Sequence, residues 1–365
     1  MQSLNEKEWA QLSAFGDDAP LCIKTTDSSI DGVRLIDDDE KSVPYITRSD
    51  ANNGLARFVS AKNYEFGSDD GGCITVGLDT QTAFYQPHKF VTGQNVQVIT
   101  GENVSEDVAQ FLVPILRQQM TAKFNWGGNG ATLGRMKRLS VMLPVTDFGE
   151  PDYEYMAEYA QQKRNAMLAK YRAYVEARIA ELGEVAEIPA LNEKEWREFR
   201  IGNLFEVSRP SARNKDSYEL GDIPFVASGS MNNGVMKLCT PLEGETLDKG
   251  CCITVSPVDG STFFQPIDFL GRGGAGSSIL MLRCEGLNLY RGQFMARAIQ
   301  QTCSKYTYGH MGNKDSIKRE RIMLPVDDSG ELDYAYMEQY TKNMMLRKYQ
   351  QYLEFINRQN VTEVD

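Results

Sequence analysis

"VPYITRSDANNGLARF" occupies Val43 to Phe58, and a worn copy, "IPFVASGSMNNGVMKL", occupies Ile223 to Leu238. Asn-Gly flanked by apolar stretches is a strong hairpin signal, so each copy predicts two strands turning at Asn53-Gly54 or Asn233-Gly234. The apolar residues persist between the copies. The polar residues ahead of the shared Asn-Asn-Gly do not: Thr47, Arg48, Ser49 and Asp50 stand where the second copy has Ala227, Ser228, Gly229 and Ser230.

The same duplication extends outward in both directions. "LNEKEW" occurs at Leu4 to Trp9 and at Leu191 to Trp196, and "CITV" at Cys73 to Val76 and Cys252 to Val255. An aromatic pair and Gln-Pro follow each, as Phe84-Tyr85-Gln86-Pro87 and Phe263-Phe264-Gln265-Pro266. "MLPV" recurs at Met142 to Val145 and Met323 to Val326, and then "DFGEPDYEYM" ending at Met156 matches "DSGELDYAYM" ending at Met337. The order is collinear at an offset near 180 residues, which marks an internal duplication.

Within each half, β-branched and aromatic runs broken by Gly, Asp and Pro predict short strands. Val104 to Met120 and Leu289 to Gln301 carry helical spacing instead, so each half is predicted to be an α+β domain. Long helical stretches follow. Met156, Tyr159, Met167, Tyr171, Tyr174, Ile179 and Leu182 form one apolar stripe, and Met337, Tyr340, Met344, Tyr349, Leu353 and Ile356 another. Two such helices can bury their stripes on one another, and an antiparallel coiled-coil pair is the expectation. The predicted boundaries are 1–150 for the first domain, 151–190 for its helix and linker, 191–331 for the second domain and 332–365 for its helix.

A chain of 365 residues with 41% hydrophobic and 24% charged content reads as soluble and globular. No apolar run approaches the roughly 20 residues of a membrane span. "MQSLNEKEWA" has neither the basic end nor the apolar centre of a signal peptide, and a cytoplasmic location is expected. Seven cysteines without a CxxC spacing predict reduced thiols. The net charge of −11 opposes bulk attraction to nucleic acid but leaves room for local basic patches.

Two such patches exist. "AKFNWGGNGATLGRMKR", Ala122 to Arg138, holds Lys123, Arg135, Lys137 and Arg138 with no acid, among Phe124, Asn125, Trp126, Asn129 and four glycines. Its counterpart "SKYTYGHMGNKDSIKRER", Ser304 to Arg321, holds Lys305, Tyr306, Tyr308, His310, Lys314, Lys318, Arg319 and Arg321 against two acids. Basic residues interleaved with aromatics and glycines suit contact with a polyanion. A single run of this kind is more often a solvated loop, but recurrence at the same place in both halves favours function. Lys123, Arg135, Lys137, Lys305, Lys314 and Arg319 are the candidate phosphate contacts. The variable positions around Asn-Asn-Gly are each compatible with simple drift of a turn. As a set on a shared scaffold they look like a surface that reads bases. The candidates are Thr47, Arg48, Asn52, Asn53, Gln81, Asn125, Trp126 and Asn129 in the first half, and Ser228, Ser230, Asn232, Asn233, Tyr308 and His310 in the second.

Catalytic readings are weaker. The two histidines, His88 and His310, do not align between halves, and neither has metal-ligand spacing. "GRGGAGSS", Gly271 to Ser278, lacks the Gly-Lys-Ser/Thr ending of a P-loop. No Asp/Asn-Pro-Pro-Tyr/Phe motif of an amino-methyltransferase is present. Asp152 and its acidic neighbours sit at a helix start, where carboxylates favour the dipole. No cofactor or metal is expected in this chain.

The order domain, long helix, domain, long helix resembles the specificity subunit of type I restriction-modification systems and the recognition subunit of two-subunit type IIB systems. The echoes are "WREFRIGNLFEV" (Trp196 to Val207), "IPFVASGSMNNGV", "KFNWGGNGATLGRMKRLSVMLPV" and "ELDYAYMEQY", and they span nearly the whole chain. The resemblance implies two target recognition domains that each read one part of a split sequence in double-stranded DNA. It implies helices that fix the spacing and dock two copies of a methyltransferase subunit, with a restriction/translocase subunit as a further partner. The chain itself would catalyse nothing, and S-adenosylmethionine, ATP and magnesium would reside in the partners. The rival functions are a free-standing DNA methyltransferase or nuclease, and a duplicated protein-binding scaffold. One departure stands out. "WAQLSAFGDDAPLCIKTTDSS" follows Trp9 where the second half has "FRIGNLFEV" after its Trp196-Arg197-Glu198, so an altered entry strand is expected in the first domain.

Overall fold

The computed structural model describes residues 3–16, 19–38, 40–124, 129–274 and 278–362. The chain divides into two compact units, Met1–Tyr171 and Arg172–Asp365, with the division inside the long helix Tyr153–Leu182. Each unit is α+β, and the second repeats the plan of the first.

In the first unit a four-stranded antiparallel sheet has the order Cys22–Thr25, Val96–Thr100, Cys73–Gly77, Ala83–Gln86. A second, three-stranded sheet places Lys41–Ile46 between Leu55–Ser60 and the short parallel strand Val91–Thr92. The corresponding sheets of the second unit are Glu206–Ser208, Leu280–Arg283, Cys252–Val255, Thr262–Gln265, and Val235–Cys239, Leu220–Val226, Leu270–Gly271. Pro44 and Pro224 both lie in the middle strand of a sheet, where proline is normally excluded. They are accommodated because the parallel neighbour reaches only Tyr45-Ile46 and Phe225-Val226.

The helix Glu106–Lys123 packs its three- and four-spaced residues Val108, Phe111, Leu112, Leu116 and Met120 into one core with Ile74, Val76, Ala83 and Ile99 of the larger sheet. Ser105 caps it, accepting from the Val108 N–H at 3.3 Å, and Glu106 and Asp107 occupy the favourable first turn. Leu289–Cys303, capped by Asn288, buries Met295, Ala296, Ile299 and Cys303 in the same way.

The duplicated end motifs close on each other. Trp9–Ser13 pairs antiparallel with Ser140–Pro144, and Trp196–Arg200 with Arg321–Pro325, in the same register: Trp9 opposes Pro144 and Trp196 opposes Pro325. The expected alteration of the first entry strand is therefore absent. The two halves part company only afterwards, where the second forms the short helix Ile201–Leu204 and the first makes a bridge from Phe15 to Leu21.

Lys7 binds Asp152 at 2.7 Å and Lys194 binds Asp333 at 2.6 Å. Each acid also accepts from a backbone N–H of its helix, Tyr155 at 3.0 Å and Tyr336 at 2.8 Å. The acids at the helix starts are thus caps and ion-pair partners. Trp9 stacks on Phe111 at 6.2 Å, and Phe111 meets Tyr159 edge-on at 5.6 Å; Trp196, Phe294 and Tyr340 repeat this at 6.1 and 5.6 Å. The lysine, tryptophan and aspartate that recur in the sequence are the residues that fasten each long helix to its own domain.

The spacer helices run Tyr153–Leu182 and Tyr334–Thr362. The stripe on the first divides: Met156 is buried, Ile179 and Leu182 are half-buried, Met167 is 73% exposed, and Tyr171 and Tyr174 are 45% and 50% exposed. Within the second unit, Arg172 donates to Asn357 at 3.2 Å and Tyr174 meets Tyr349 edge-on at 6.4 Å, so residues 172–182 run against the final helix in the opposite sense. Among the described residues, no helix is long and apolar enough to cross a membrane.

Candidate nucleic-acid interface

In both halves the expected pair of antiparallel strands turns at Asn-Asn-Gly, which closes a loop of residues 47–54 in the first and 227–234 in the second. Asn52, Asn53 and Gly54 are consecutive left-handed residues at φ 51°, 54° and 80°, and Asn232, Asn233 and Gly234 repeat this at 49°, 58° and 75°. Asparagine tolerates that region because its short polar side chain bonds locally; glycine enters it freely. At Gly54 a side chain would also meet the Thr47 carbonyl oxygen at 2.9 Å, and at Gly234 that of Ala227 at 3.0 Å. The motif is thus fixed by backbone geometry.

Each tip is anchored from beneath. Gln86 Nε2 donates to the Asn53 carbonyl at 2.9 Å and to Thr75 Oγ1 at 3.0 Å. Gln265 makes the same pair of bonds to Asn233 at 2.9 Å and Thr254 at 3.0 Å. Both glutamines are buried. This explains the Gln of the repeated Gln-Pro, whose role the sequence alone did not reveal.

Three further loops gather against the tip of the first half. Thr80 Oγ1 donates to the Arg48 carbonyl at 2.7 Å, joining loop 77–82 to loop 47–54. The Leu78 N–H donates to Asn95 O at 3.0 Å and the Ala131 N–H to Leu78 O at 2.8 Å, which bring in the loops around Asn95 and before the helix Leu133–Met136. In the second unit the Gly312 N–H donates to Pro257 O at 2.8 Å and the Arg272 N–H to Val226 O at 2.8 Å. These hydrogen bonds tie loops from several parts of each unit together beside its Asn-Asn-Gly turn.

The candidate side chains separate on this frame. Arg48, Asn52 and Asn53 are exposed at the first tip, with Thr47 half-buried behind them, and Ser230, Asn232 and Asn233 are exposed at the second, with Ser228 half-buried. Tyr308 is 85% exposed, and His310 stacks beside Tyr306 at 6.1 Å in the loop that Gly312 ties to Pro257. Two candidates are turned to structural work. Gln81 donates to the Asp79 carbonyl at 2.8 Å, and Asn129 donates to the Lys123 carbonyl at 3.0 Å, closing the end of the helix Glu106–Lys123. Asn125 and Trp126 lie outside the described residues.

Lys123, Lys137 and Arg319 are exposed; Lys314 is half-buried. Arg135 donates to the Gly130 carbonyl at 3.0 Å. Lys305 is paired with Glu320 at 2.6 Å, and that carboxylate also accepts from Tyr306 at 2.5 Å. Burial, and then the hydrogen bond to Glu320, push the Tyr306 phenol up to about 12.

The second half carries a buried ionic cluster centred on Arg213. Arg213, with 3% of its side chain exposed, donates to Glu245 at 2.7 Å, Asp248 at 2.6 Å, and the carbonyls of Thr246 and Gly271. It holds the segment before it against the glycine-rich stretch, where a side chain at Gly273 would meet the Pro210 and Ser211 carbonyls at 2.1 and 2.2 Å. Gly271 and Gly273 answer a close backbone approach, and the element that follows Ser278 is the strand Leu280–Arg283 rather than a helix. Among the described residues, no group of three or more His, Cys, Asp or Glu could hold a metal ion.

The family profile described as the type I restriction modification DNA specificity domain matches residues 31–169 and again 193–354. The specificity subunit S.BcgI of a type II restriction enzyme from Heyndrickxia coagulans is 25% identical over 310 residues, covering 84% of this chain and 86% of that protein. Among solved structures, the type I restriction-modification S subunit from M. genitalium aligns over 99% of this chain and 96% of its own, at 11% identity and a TM-score of 0.46. The HsdS subunit of Thermoanaerobacter tengcongensis aligns over 94% and 93%, at 13% identity and a TM-score of 0.30.

Proposed function

The chain belongs to the type I restriction-modification DNA specificity family, whose domain it carries twice, and from that premise we propose that it reads a bipartite target in double-stranded DNA, one tract per domain, and brings methyltransferase subunits to it. The observation that carries this reading is the contrast between frame and tip. Gln86 and Gln265 hold matching left-handed Asn-Asn-Gly turns, while the groups beside them are the exposed Arg48 and Asp50 in one half and the half-buried Ser228 and exposed Ser230 in the other. A rigid frame with exchangeable donors and acceptors is what direct base readout demands.

The backbone of the duplex would lie against Lys123, Lys137, Lys314 and Arg319, with Arg135 and Lys305 contributing less because one donor of each is already engaged, by the Gly130 carbonyl and by Glu320. Phosphate contacts position, whereas base contacts specify. The acidity of the chain fits a complex in which partner subunits close around the DNA and supply much of the positive charge. The exposed Met167 and Leu168 offer apolar surface on the spacer helix to a methyltransferase subunit, of which two copies are proposed to dock. Methylation and cleavage, with S-adenosylmethionine, ATP and magnesium, would belong to those partners and to a restriction subunit.

The test uses the full chain assembled with its methyltransferase subunits. Selection from a randomised duplex pool should return two short defined tracts separated by unread base pairs. A complex that retains all duplexes alike at every salt concentration would leave the protein-scaffold reading in its place.

A further inference from the structure

Loop 47–54 carries a fork-shaped cation clamped by an acid from another loop. Arg48 Nη1 donates to Asp79 Oδ2 at 2.6 Å. The same oxygen accepts from Asn95 Nδ2 at 3.1 Å. Thr80 Oγ1, next to Asp79, holds the Arg48 carbonyl at 2.7 Å. Three loops thus converge on one exposed guanidinium, whose Nε and Nη2 make no hydrogen bond to any described residue.

The local backbone is shaped to admit this arrangement. A side chain at Gly77 would come within 3.1 Å of Arg48 Cβ and within 2.5 Å of both the Thr80 and Thr82 hydroxyl oxygens. The second half has Ser256 there, Ser228 for Arg48 and Val258 for Asp79, so the clamp, its acid and its clearance are all missing together. Asp79 is otherwise ill placed: a carboxylate on an edge facing DNA is repelled by phosphate. Its presence is explained if it serves the arginine.

Resting on the DNA-reading function proposed above, we propose that Arg48 is a specificity-determining residue of the first domain that reads a guanine, and that Asp79, braced by Asn95, is its positioning residue. A guanidinium presents two parallel donors that match O6 and N7 of guanine in the major groove. An unheld arginine would spread over many rotamers and meet phosphates as readily as bases. With Nη1 bound to Asp79, the fork is oriented before DNA arrives, which lowers the ordering cost of a bidentate contact. The second domain, with Ser228, has no such reader at this place.

The experiment compares wild type, Arg48→Ala, Arg48→Lys and Asp79→Ala as full chains assembled with methyltransferase subunits. Each selects from a duplex pool randomised across both tracts, and each is melted thermally. Arg48→Ala and Asp79→Ala should flatten the same single guanine position in one tract, by roughly ten- to hundredfold, with the other tract unchanged. Arg48→Lys should flatten it too, because the charge remains while the fork is lost. The proposal falls if Asp79→Ala keeps its fold, by melting, and either retains the guanine preference or weakens all duplexes equally. It also falls if the two alanine variants relax different positions. A wild-type complex that selects no sequence would instead overturn the DNA-reading function itself.

Discussion

Gln265 donates through Nε2 to the carbonyl oxygen of Asn233 at 2.9 Å, from a side chain with almost no exposure. That single bond ties a tip residue at φ 58° to the strand Thr262–Gln265 beneath it. Gln265→Leu would leave the Asn233 carbonyl and Thr254 hydroxyl without this partner. The expected loss is about 1–3 kcal/mol, the usual cost of orphaning a buried polar group. Denaturant unfolding should show it, and specific DNA binding should weaken more than non-specific binding.

Specificity is expected to divide between the halves. Exchanging Pro44 to Val141 for the matching segment of a relative replaces the first tip, its supporting loops and the basic run while leaving the entry strand in place. Selected duplexes should change in one tract only. Concerted change in both tracts would contradict two independent readers.

Lys123→Ala, Lys137→Ala and Arg319→Ala should each lower the salt dependence of binding by roughly one counterion and weaken all sequences alike. Lys305→Ala should do less, since its ammonium is already held by Glu320 at 2.6 Å. Titrating binding against salt for each variant checks the order. A variant whose base preference shifts at constant slope belongs to the reading surface.

The tie between Lys7 and Asp152 predicts an acid sensitivity in the first unit. Burial works to raise the Asp152 carboxyl, but hydrogen bonds from the Lys7 ammonium and the Tyr155 N–H outweigh it and hold the group below the ordinary carboxylate range. A depressed folded value gives stability that is present above the unfolded value near about 3.9 and is lost as pH falls through the folded one. Asp152→Asn should therefore lower the melting temperature at pH 7 and flatten the loss of stability below about pH 4. An unchanged acid limb would show that the ion pair contributes nothing to it.

The spacer helices are expected to set the distance between the two tracts. Tyr153–Leu182, 30 residues, is about 45 Å long at helical rise. Four residues inserted after Ala169 and four after Gln350 would add about 6 Å to each helix. The unread gap should lengthen by about one or two base pairs, at roughly 3.4 Å each along the duplex, with both tracts unchanged. A folded, active variant with the original gap would remove the helices from that role.

The sequence by itself determined the duplication, the α+β character of each half and the two long helices, because all three are written in local or repeated patterns. Alternation and helical spacing reflect which face of each segment is buried. A matched pair of copies also separates retained framework from altered tips without any structure.

Only the tertiary structure decided which polar residues are free to act. Gln81, Asn129 and Lys305 looked like equals of Asn52, Tyr308 and Lys123, yet each is bound to a loop carbonyl, a helix end or a carboxylate. Asp79 gave no sign of its bond to Arg48 across 31 positions, nor Lys7 of its bond to Asp152 across 145. Periodicity records how a segment meets the core, but a hydrogen-bond partner is chosen by whichever distant loop the chain crossing brings within about 3 Å. That choice fixes which donors remain for a ligand, and it exists only once the sheets have formed.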